Sequence, residues 1–149
     1  MELRRYKEDD CKEVTELFYN TIHLINVRDY SKEQVDAWAN GKLDLAKWNQ
    51  SFLKNYCIVA IDEGKIVGFG DIDDKAYLDH LYVHAAYQGK GIGTAICAAL
   101  EAKVRGDVLT HSSITARTFF ERRGYRLIKE QEVLRDGVWL KNFVMKKNR

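Results

Sequence analysis

The segment of this chain best suited to chemistry is glycine-rich: residues 88–94 read Gln-Gly-Lys-Gly-Ile-Gly-Thr, with three glycines within five residues. It lies between an apolar run that ends in Leu81-Tyr82-Val83 and an amphipathic helical pattern that begins at Ile92. Glycine allows backbone N–H groups to approach a phosphate closely, and the N-terminus of a helix adds partial positive charge. A strand, a glycine loop and a helix in this order predict a binding site for a phosphorylated small molecule.

The glycine spacing excludes two common phosphate-binding loops. A dinucleotide fingerprint requires Gly-x-Gly-x-x-Gly, but the sixth position is Thr94 when counted from Gly89 and Ile96 when counted from Gly91. A Walker loop requires Ser or Thr after its Gly-Lys pair, and here that pair is followed by glycine. The spacing that does match is Gln/Arg-x-x-Gly-x-Gly, which begins at Gln88.

Two segments of the chain resemble one protein family. Gln88, Gly91 and Gly93, after a Leu-Tyr-Val strand end and before a helix of Ala, Ile and Leu, resemble motif A of the GNAT superfamily of acetyl-coenzyme A-dependent N-acetyltransferases. Residues 115–125, which read Thr-Ala-Arg-Thr-Phe-Phe-Glu-Arg-Arg-Gly-Tyr, are similar to the family's next helix, with its aromatic pair and closing glycine.

The resemblance implies an enzyme that transfers the acetyl group of its co-substrate acetyl-coenzyme A to a primary amine of a small molecule or peptide. It implies direct attack in a ternary complex, with no acyl-enzyme and no metal. The pantetheine arm is expected along the strand end and the pyrophosphate on the loop, so the expected cofactor-binding residues are Leu81, Tyr82, Val83, Gln88, Gly89, Lys90, Gly91, Ile92, Gly93, Thr94, Ser113 and Phe120. The alternative is a module of the same fold that binds acetyl-coenzyme A as a sensor, without turnover.

The strand before the loop carries the candidate general base. Strict alternation places Tyr77, Asp79 and Leu81 on one face, and Leu78, His80 and Tyr82 on the other. In the family it resembles, a base on this strand lies near the positions of Tyr77 and Asp79. Asp79 is therefore the expected base, acting directly or through a water, and the alternative is an aspartate that hydrogen-bonds a neighbouring loop. His80 ranks second because its parity points it away from the expected cleft.

The chain departs from the family where the general acid is expected. Many members have a tyrosine as the second residue of the aromatic pair, which protonates the departing thiolate, and this chain has Phe120. An asparagine often found seven residues earlier is here Ser113. Tyr82, His111 and water all remain candidates for the acid, and His111 could also face the acyl group.

Local patterns predict the remaining elements. Apolar residues at helical spacing and two capping-box signals, Asp10 with Glu13 and Ser31 with Gln34, predict three helices in the first third of the chain. Runs at 56–61, 65–70 and 76–83 predict a meander, and residues 107–110, 125–134 and 138–146 predict three further strands. The glycine loop leads into one helix, and Ser112 or Ser113 is expected to cap another that ends at Arg123.

These elements predict an α/β (α+β) protein with the GNAT fold, in which helices flank a central, mostly antiparallel mixed sheet. A splayed pair of strands is expected to hold the cofactor. Residues 1–149 are expected to form a single acetyltransferase domain. Tyr19, Tyr30, Trp38 and Trp139 are candidate walls of an acceptor pocket.

Composition narrows the class of partner. The formal net charge of +2 gives no basic face for nucleic acid, and the N-terminal residues contain no apolar stretch for a signal peptide or a membrane span. Three widely spaced cysteines suggest neither a disulfide framework nor a zinc site. The protein is expected in the cytoplasm, as a monomer or a homodimer.

Overall fold

A single sheet of seven strands organises the molecule, in the order β1-β2-β3-β4-β5-β7-β6. The computed structural model describes residues 1–149, with strands β1 Glu2–Arg5, β2 Tyr56–Asp62, β3 Lys65–Ile72, β4 Tyr77–Val83, β5 Val108–Ser113, β6 Arg126–Arg135 and β7 Val138–Lys147. The helices are α1 Cys11–Leu24, α2 Lys32–Trp38, α3 Leu45–Lys54, α4 Ile92–Lys103 and α5 Arg117–Arg122. No helix is long and apolar enough to span a membrane.

The pairing confirms the expected mostly antiparallel mixed sheet. Every neighbouring pair is antiparallel except β4 and β5, which are parallel. That pair is joined only at Tyr77 with Leu109 and Leu78 with Thr110, and beyond these positions the two strands have no ladder. The sheet therefore contains the splayed strand pair that was expected, and it opens towards the glycine loop that follows β4.

A bulge in β4 changes which residues share a face. Asp71 of β3 pairs with His80, but the next residue, Ile72, pairs with Leu78, so Asp79 has no partner. One extra residue in a strand reverses the alternation of side chains across it. Leu78 packs into the core beneath α4, whereas the ring of His80 lies near those of Phe52 and Phe69 on the opposite face. The expectation that Leu78 and His80 share a face is therefore wrong.

Apolar side chains form a core on each face of the sheet. The first lies beneath α1, α2 and α3, and the stripe predicted for α1 is buried there. The second lies beneath α4 and α5. On α4 the face towards the sheet is made of small and aliphatic residues, and Gly68 and Gly70 of β3 let it approach closely, because a Cβ at Gly70 would lie 2.9 Å from Ile96 Cγ2.

The N-terminal region differs from its prediction. The chain begins with a charged strand, β1, that pairs with β2, although no periodic pattern indicates it. Asp10 does not cap α1 through its side chain, because its carboxylate accepts two hydrogen bonds from the Arg4 guanidinium at 2.8 and 2.9 Å. Glu13 instead accepts the backbone N–H of Ile66 at 2.8 Å. The capping box at Ser31 is present as predicted.

Strand β5 and helix α5 also differ in extent from their predictions. β5 continues to Ser113, which pairs with Asn142 of β7, so the strand is longer than residues 107–110. α5 is correspondingly shorter and begins at Arg117. Ser113 still serves the turn between them, because its hydroxyl accepts the N–H of Ala116 at 3.0 Å.

Candidate active site

A cavity of about 570 Å³ passes through the gap between β4 and β5. Because the strands separate there, residues from both faces of the sheet line the same space. One end of this cavity, called the donor end below, is lined by the glycine loop, residues 88–94 apart from Lys90, together with Val83, Ser113 and Phe120. The other end, called the acceptor end, is lined by Phe18, Tyr30, Trp38, Trp48, Tyr77, Asp79, His80, His111 and Arg135.

The glycine loop has the backbone geometry that its sequence predicts. Gly89 and Gly91 have φ angles of 73° and 81°, in the left-handed region that favours glycine. A Cβ built on either would meet no atom within 4 Å, so the space beside the loop is open. Gly91 precedes α4, and the first N–H groups of that helix have no intrahelical partner. The loop can therefore present several backbone donors to an anion.

The residues expected to bind the cofactor fall into two groups. Leu81, Tyr82, Val83, Gln88, Gly89, Gly91, Ile92, Gly93, Thr94, Ser113 and Phe120 all line the cavity. Lys90 does not, and its ammonium lies over the ring of Tyr87, 5.2 Å from the centroid. A pyrophosphate at this loop would therefore be held by backbone groups and the helix N-terminus, which suits the scarcity of cationic side chains.

The end of β4 offers backbone groups to a ligand that lies beside it. The N–H of His84 donates to Val67 O of β3, so by alternation Leu81 and Val83 turn their amide groups towards β5. The Val83 carbonyl is already used, because it accepts from Gln88 Nε2 at 2.7 Å and from Thr21 Oγ1 at 3.2 Å. Gln88 thus ties the loop to the strand, and the N–H of Val83 and the carbonyl of Leu81 face the gap.

Phe120 stands at the position where the sequence resemblance leads to the expectation of a tyrosine. Its side chain is buried, lines the cavity and packs edge-on against Phe119 and Tyr125, with ring centroids 5.2 and 5.1 Å away. It carries no proton that a thiolate could take. The residue is part of the core beneath α4 and α5.

Asp79 projects from the bulge into the acceptor end, with 38% of its side chain accessible. Burial raises the pKa of its carboxyl; the nearby His80 acts in the opposite direction, while Asp71 and Asp73 add to the rise. Its Oδ2 lies 3.7 Å from Nδ1 of His80. A carboxylate in this position can bind an ammonium group or accept a proton.

His80 lies beside Asp79 in the same cavity, contrary to the expectation from parity. Its backbone N–H and its Nδ1 both lie 2.9 Å from Oδ1 of Asp71, a carboxylate with no accessible surface. Asn55 donates to Asp71 Oδ2 at 3.2 Å. Burial lowers the pKa of His80, but the charge of Asp71 and the hydrogen bond to it outweigh that and raise the pKa above its usual value.

The two candidate acids have different surroundings. Tyr82 lies between the rings of Phe18 and Phe69, at 5.0 and 5.7 Å, and burial raises its pKa. His111 is exposed on β5 with its ring edge against Tyr77, and burial of part of the ring lowers its pKa. His111 is therefore the more acidic of the two when protonated.

Only half of the expected aromatic walls belong to the cavity. Tyr30 and Trp38 line it, whereas Trp139 is exposed outside it and Tyr19 stacks on His23 at 4.2 Å, away from the lining residues. Phe18 and Trp48, whose helical spacing indicated only core packing, complete the wall. Since they come from α1 and α3, only the tertiary fold brings them to this site.

The fold and the site together define a class of protein: a sheet that is split between two parallel strands, with a glycine loop and a helix N-terminus at one end of the split and acid–base side chains at the other. Comparison with known proteins identifies the family. The family model described as acetyltransferase (GNAT) domain matches residues 26–147. The chain therefore belongs to the GNAT acetyltransferases and is an acetyl-coenzyme A-dependent acyltransferase.

Similar proteins span nearly the whole chain. The uncharacterized N-acetyltransferase YafP of Escherichia coli is 31% identical over 146 residues, which are 98% of this chain and 95% of YafP. A crystal structure of a GCN5-related N-acetyltransferase from Rhodopseudomonas palustris is 32% identical and has a TM-score of 0.96 over 99% of this chain and 95% of that one. The PaiA N-acetyltransferase of Thermoplasma acidophilum, solved with coenzyme A, shares the fold, with 16% identity and a TM-score of 0.78 over 99% and 98% of the two chains.

Proposed function

We propose that this protein transfers the acetyl group of acetyl-coenzyme A to a primary amine by direct attack, with both substrates bound at once. The observation that carries this is the single cavity, which joins the donor end to the acceptor end through the gap between β4 and β5. All three cysteines are buried and none lines the cavity, so no thiol is placed to form an acyl-enzyme.

Acetyl-coenzyme A supplies an acetyl thioester, and the residues of the donor end fit it. The N–H groups at Gly91–Thr94 are proposed to hold the pyrophosphate, with the backbone of Leu81 and Val83 beside the pantetheine arm. Ser113 and Phe120 are proposed to line the same arm, and Gln88 to keep the loop in place through the Val83 carbonyl. We do not assign Lys90 a phosphate, since it does not line the cavity and its ammonium lies over the ring of Tyr87.

Asp79 is the proposed first proton acceptor at the acceptor end. A primary amine has a pKa of about 10 and arrives as an ammonium ion, which a carboxylate attracts and which must lose a proton before it can attack. Asp79 is proposed to bind that ammonium and take its proton, directly or through a water, and release it to solvent. The thiolate that leaves is proposed to take a proton from His111, Tyr82 or water.

The proposal is tested by an amine panel with acetyl-coenzyme A in which release of free thiol is measured. Turnover that depends on an amine, with the acetylated amine identified by mass spectrometry, is the expected result. Calorimetric binding of coenzyme A together with no thiol release for amino acids, polyamines, aromatic amines and peptide N-termini would support the sensor alternative instead.

Asp79→Asn is expected to lower kcat by roughly 100-fold, the usual scale for lost general-base help, with little change in the Kd for coenzyme A. Burial opposes the charge of Asp79, so its ionisation costs stability above its unfolded pKa, and the variant should unfold at the same or a higher temperature at pH 7. Lost activity with retained stability would then be a catalytic effect. Unchanged kcat across the pH range would exclude the role.

A further inference from the structure

We propose that His80 is a second catalytic residue, which accepts the proton that the amine loses as the C–N bond forms, and that Asp71 is the residue that positions it. This rests on the proposed transfer to an amine. Strict alternation along β4 does not indicate this pair. In the structure the bulge at Asp79 separates the face of Leu78 from that of His80, and the ring of His80 lines the cavity.

The hydrogen bonds at His80 define which ring nitrogen is free. Oδ1 of Asp71 lies 2.9 Å from Nδ1, and a carboxylate can only accept, so Nδ1 carries a proton in the neutral ring. The lone pair of the neutral imidazole is then on Nε2, which has no hydrogen-bond partner within the chain. His80 lines the cavity with 18% of its side chain accessible, so a base is available there to a bound amine.

Neighbouring side chains fix the orientation of the His80 ring. Aromatic rings surround it, with centroid distances of 5.4 Å to Trp48, 5.9 Å to Phe52 and 6.1 Å to Phe69. Asp71 Oδ1 also accepts the backbone N–H of His80, and Asn55 holds Oδ2, so the carboxylate is itself immobile. A base held in one rotamer and one tautomer loses little entropy when an amine arrives.

The charge of Asp71 matters as much as its geometry. A carboxylate without accessible surface is costly to bury unless it is hydrogen-bonded or paired with a cation, and His80 supplies that cation whenever its ring is protonated. Besides Asp71, the titratable groups that face the ring are Asp79 and Tyr82 from β4, while α1 and α3 present only Phe18, Trp48 and Phe52 to it. Both carboxylates favour the cation, so the free base forms only above the usual histidine pKa.

The proton and electron count of the step is complete without an added reagent. The lone pair of the neutral amine forms the bond to the acetyl carbonyl carbon, and the electron pair of the C–S bond leaves on sulfur. One N–H proton passes to Nε2 of His80, and the thiolate takes one proton from the acid described above. His80 then returns its proton to solvent. Asp79 removes the first proton of the ammonium and His80 the second, so each residue accepts one proton in each turnover.

The test compares His80→Gln, Asp71→Asn and a control, His23→Gln, in which the lost imidazole lies outside the cavity. His80→Gln should lower kcat by about 100-fold or more. Asp71→Asn keeps the shape of the side chain, and it should move the acid limb of the kcat profile to lower pH, because the group that raises the His80 pKa is gone. Coenzyme A should bind all three variants as it binds the parent, which shows that they fold.

A readout apart from turnover separates this inference from the proposed function. NMR of the parent should find the neutral His80 ring protonated at Nδ1, with a pKa above the usual value that falls in Asp71→Asn. An Nε2–H tautomer, or a pKa that Asp71→Asn leaves in place, would overturn the pairing. A parent that acetylates amines while His80→Gln retains its rate and pH profile would overturn the catalytic role and leave the proposed function intact.

Discussion

The two ends of the cavity offer different groups to a ligand. The donor end offers backbone N–H and C=O groups from two adjacent segments, the end of β4 and the loop before α4. The acceptor end offers side chains from α1, α2, α3, β4, β5 and β6, which are far apart in the sequence. Backbone binding can tolerate change in nearly every side chain except glycine, whereas side-chain binding changes with each substitution. The donor end therefore suits a constant ligand and the acceptor end a variable one.

The ends also differ in electrostatic cost. The donor end is open, and its charge preference comes from a helix N-terminus and requires no buried ion. Behind the acceptor end lies the fully buried carboxylate of Asp71, in contact with His80, and the pKa values of Asp79 and His80 are both displaced by their surroundings. Displaced pKa values cluster where proton transfer occurs. The acceptor end is thus the part of the molecule where stability and activity oppose each other.

The largest expected effect is a loss of stability on truncation of Phe120, which lies in the core and also lines the donor end. Phe120→Ala should lower the free energy of unfolding by about 3–5 kcal/mol, the usual cost when a buried phenylalanine is truncated. Urea denaturation measures it. Phe120→Tyr is the companion variant: it should preserve activity or raise it modestly, because it adds a hydroxyl to a side chain that lines the cavity. A Phe120→Ala protein as stable as the parent would show that this ring is not part of the core.

The next effect isolates the donor end. Gly91→Val places a side chain at a φ of 81° and fills the open space beside the loop. Loss of two hydrogen bonds to a charged phosphate, at about 1.5–3 kcal/mol each, should weaken coenzyme A binding by roughly 100-fold or more in calorimetry. Gly64→Val is the matched control, since Gly64 has a φ of 78°, equally open surroundings and a position outside the cavity.

Gly64→Val should cost the same backbone strain, about 1–2 kcal/mol, and leave coenzyme A binding unchanged. If Gly91→Val binds coenzyme A as tightly as the parent does, the loop is not the pyrophosphate site.

The contrast between the ends explains what the sequence could predict. The loop at 88–94 depends on local glycine conformation and on the helix that follows, so residue spacing alone indicated it. The bulge at Asp79 is set by pairing with Asp71 and Ile72 of another strand, and no local pattern in β4 reveals it. Alternation therefore placed Leu78 and His80 on the same face, which is wrong, whereas His80 and Tyr82 do share one. The register of β3 against β4, which places Asp71 directly opposite His80, is the signal that could have indicated the pair.

Two further differences from the sequence predictions also arise from tertiary contacts. Phe18 and Trp48 have helical spacing typical of core residues, and they do pack in the core, but one side of each also faces the cavity. Strand β1 consists mainly of charged residues and exists because β2 offers it an edge, from Glu2 with Ile61 to Arg5 with Ile58. Local propensity predicts elements, and only the assembled sheet decides which of their residues meet.

A smaller effect is expected at the acceptor end from Tyr30→Phe. The Tyr30 hydroxyl donates to Lys141 O at 2.7 Å and accepts from the N–H of Ile114 at 2.9 Å, so it joins two segments beside the cavity. Its loss should cost about 1–3 kcal/mol of stability and raise the acceptor KM, with the Kd for coenzyme A unchanged. Tyr19→Phe is the control, because that hydroxyl makes no hydrogen bond within the chain, and it should lie within about 0.5 kcal/mol of the parent.

The smallest effect is the pH dependence of stability contributed by Asp71 and His80. The native pKa of His80 lies above its unfolded value, so the pair stabilises fully below about pH 6.5 and loses this contribution as pH rises through the native pKa. His84 and His111 have lowered pKa values, so their contributions to stability change only below pH 6.5. Above pH 6.5 they do not obscure the contribution of His80.

The contribution of His80 can be measured up to about pH 8. Above that pH the unfolded thiols begin to ionise, whereas the native pKa values of Cys57 and Cys97 are raised, so the cysteines also make stability depend on pH. Between these limits, urea denaturation of the parent should show a free energy of unfolding that falls with pH, and the corresponding curve for Asp71→Asn should be flatter. The two curves should therefore converge towards pH 8. Parallel curves would mean that His80 is not charged in the native state, and Asp71 would then be held by hydrogen bonds alone rather than in an ion pair.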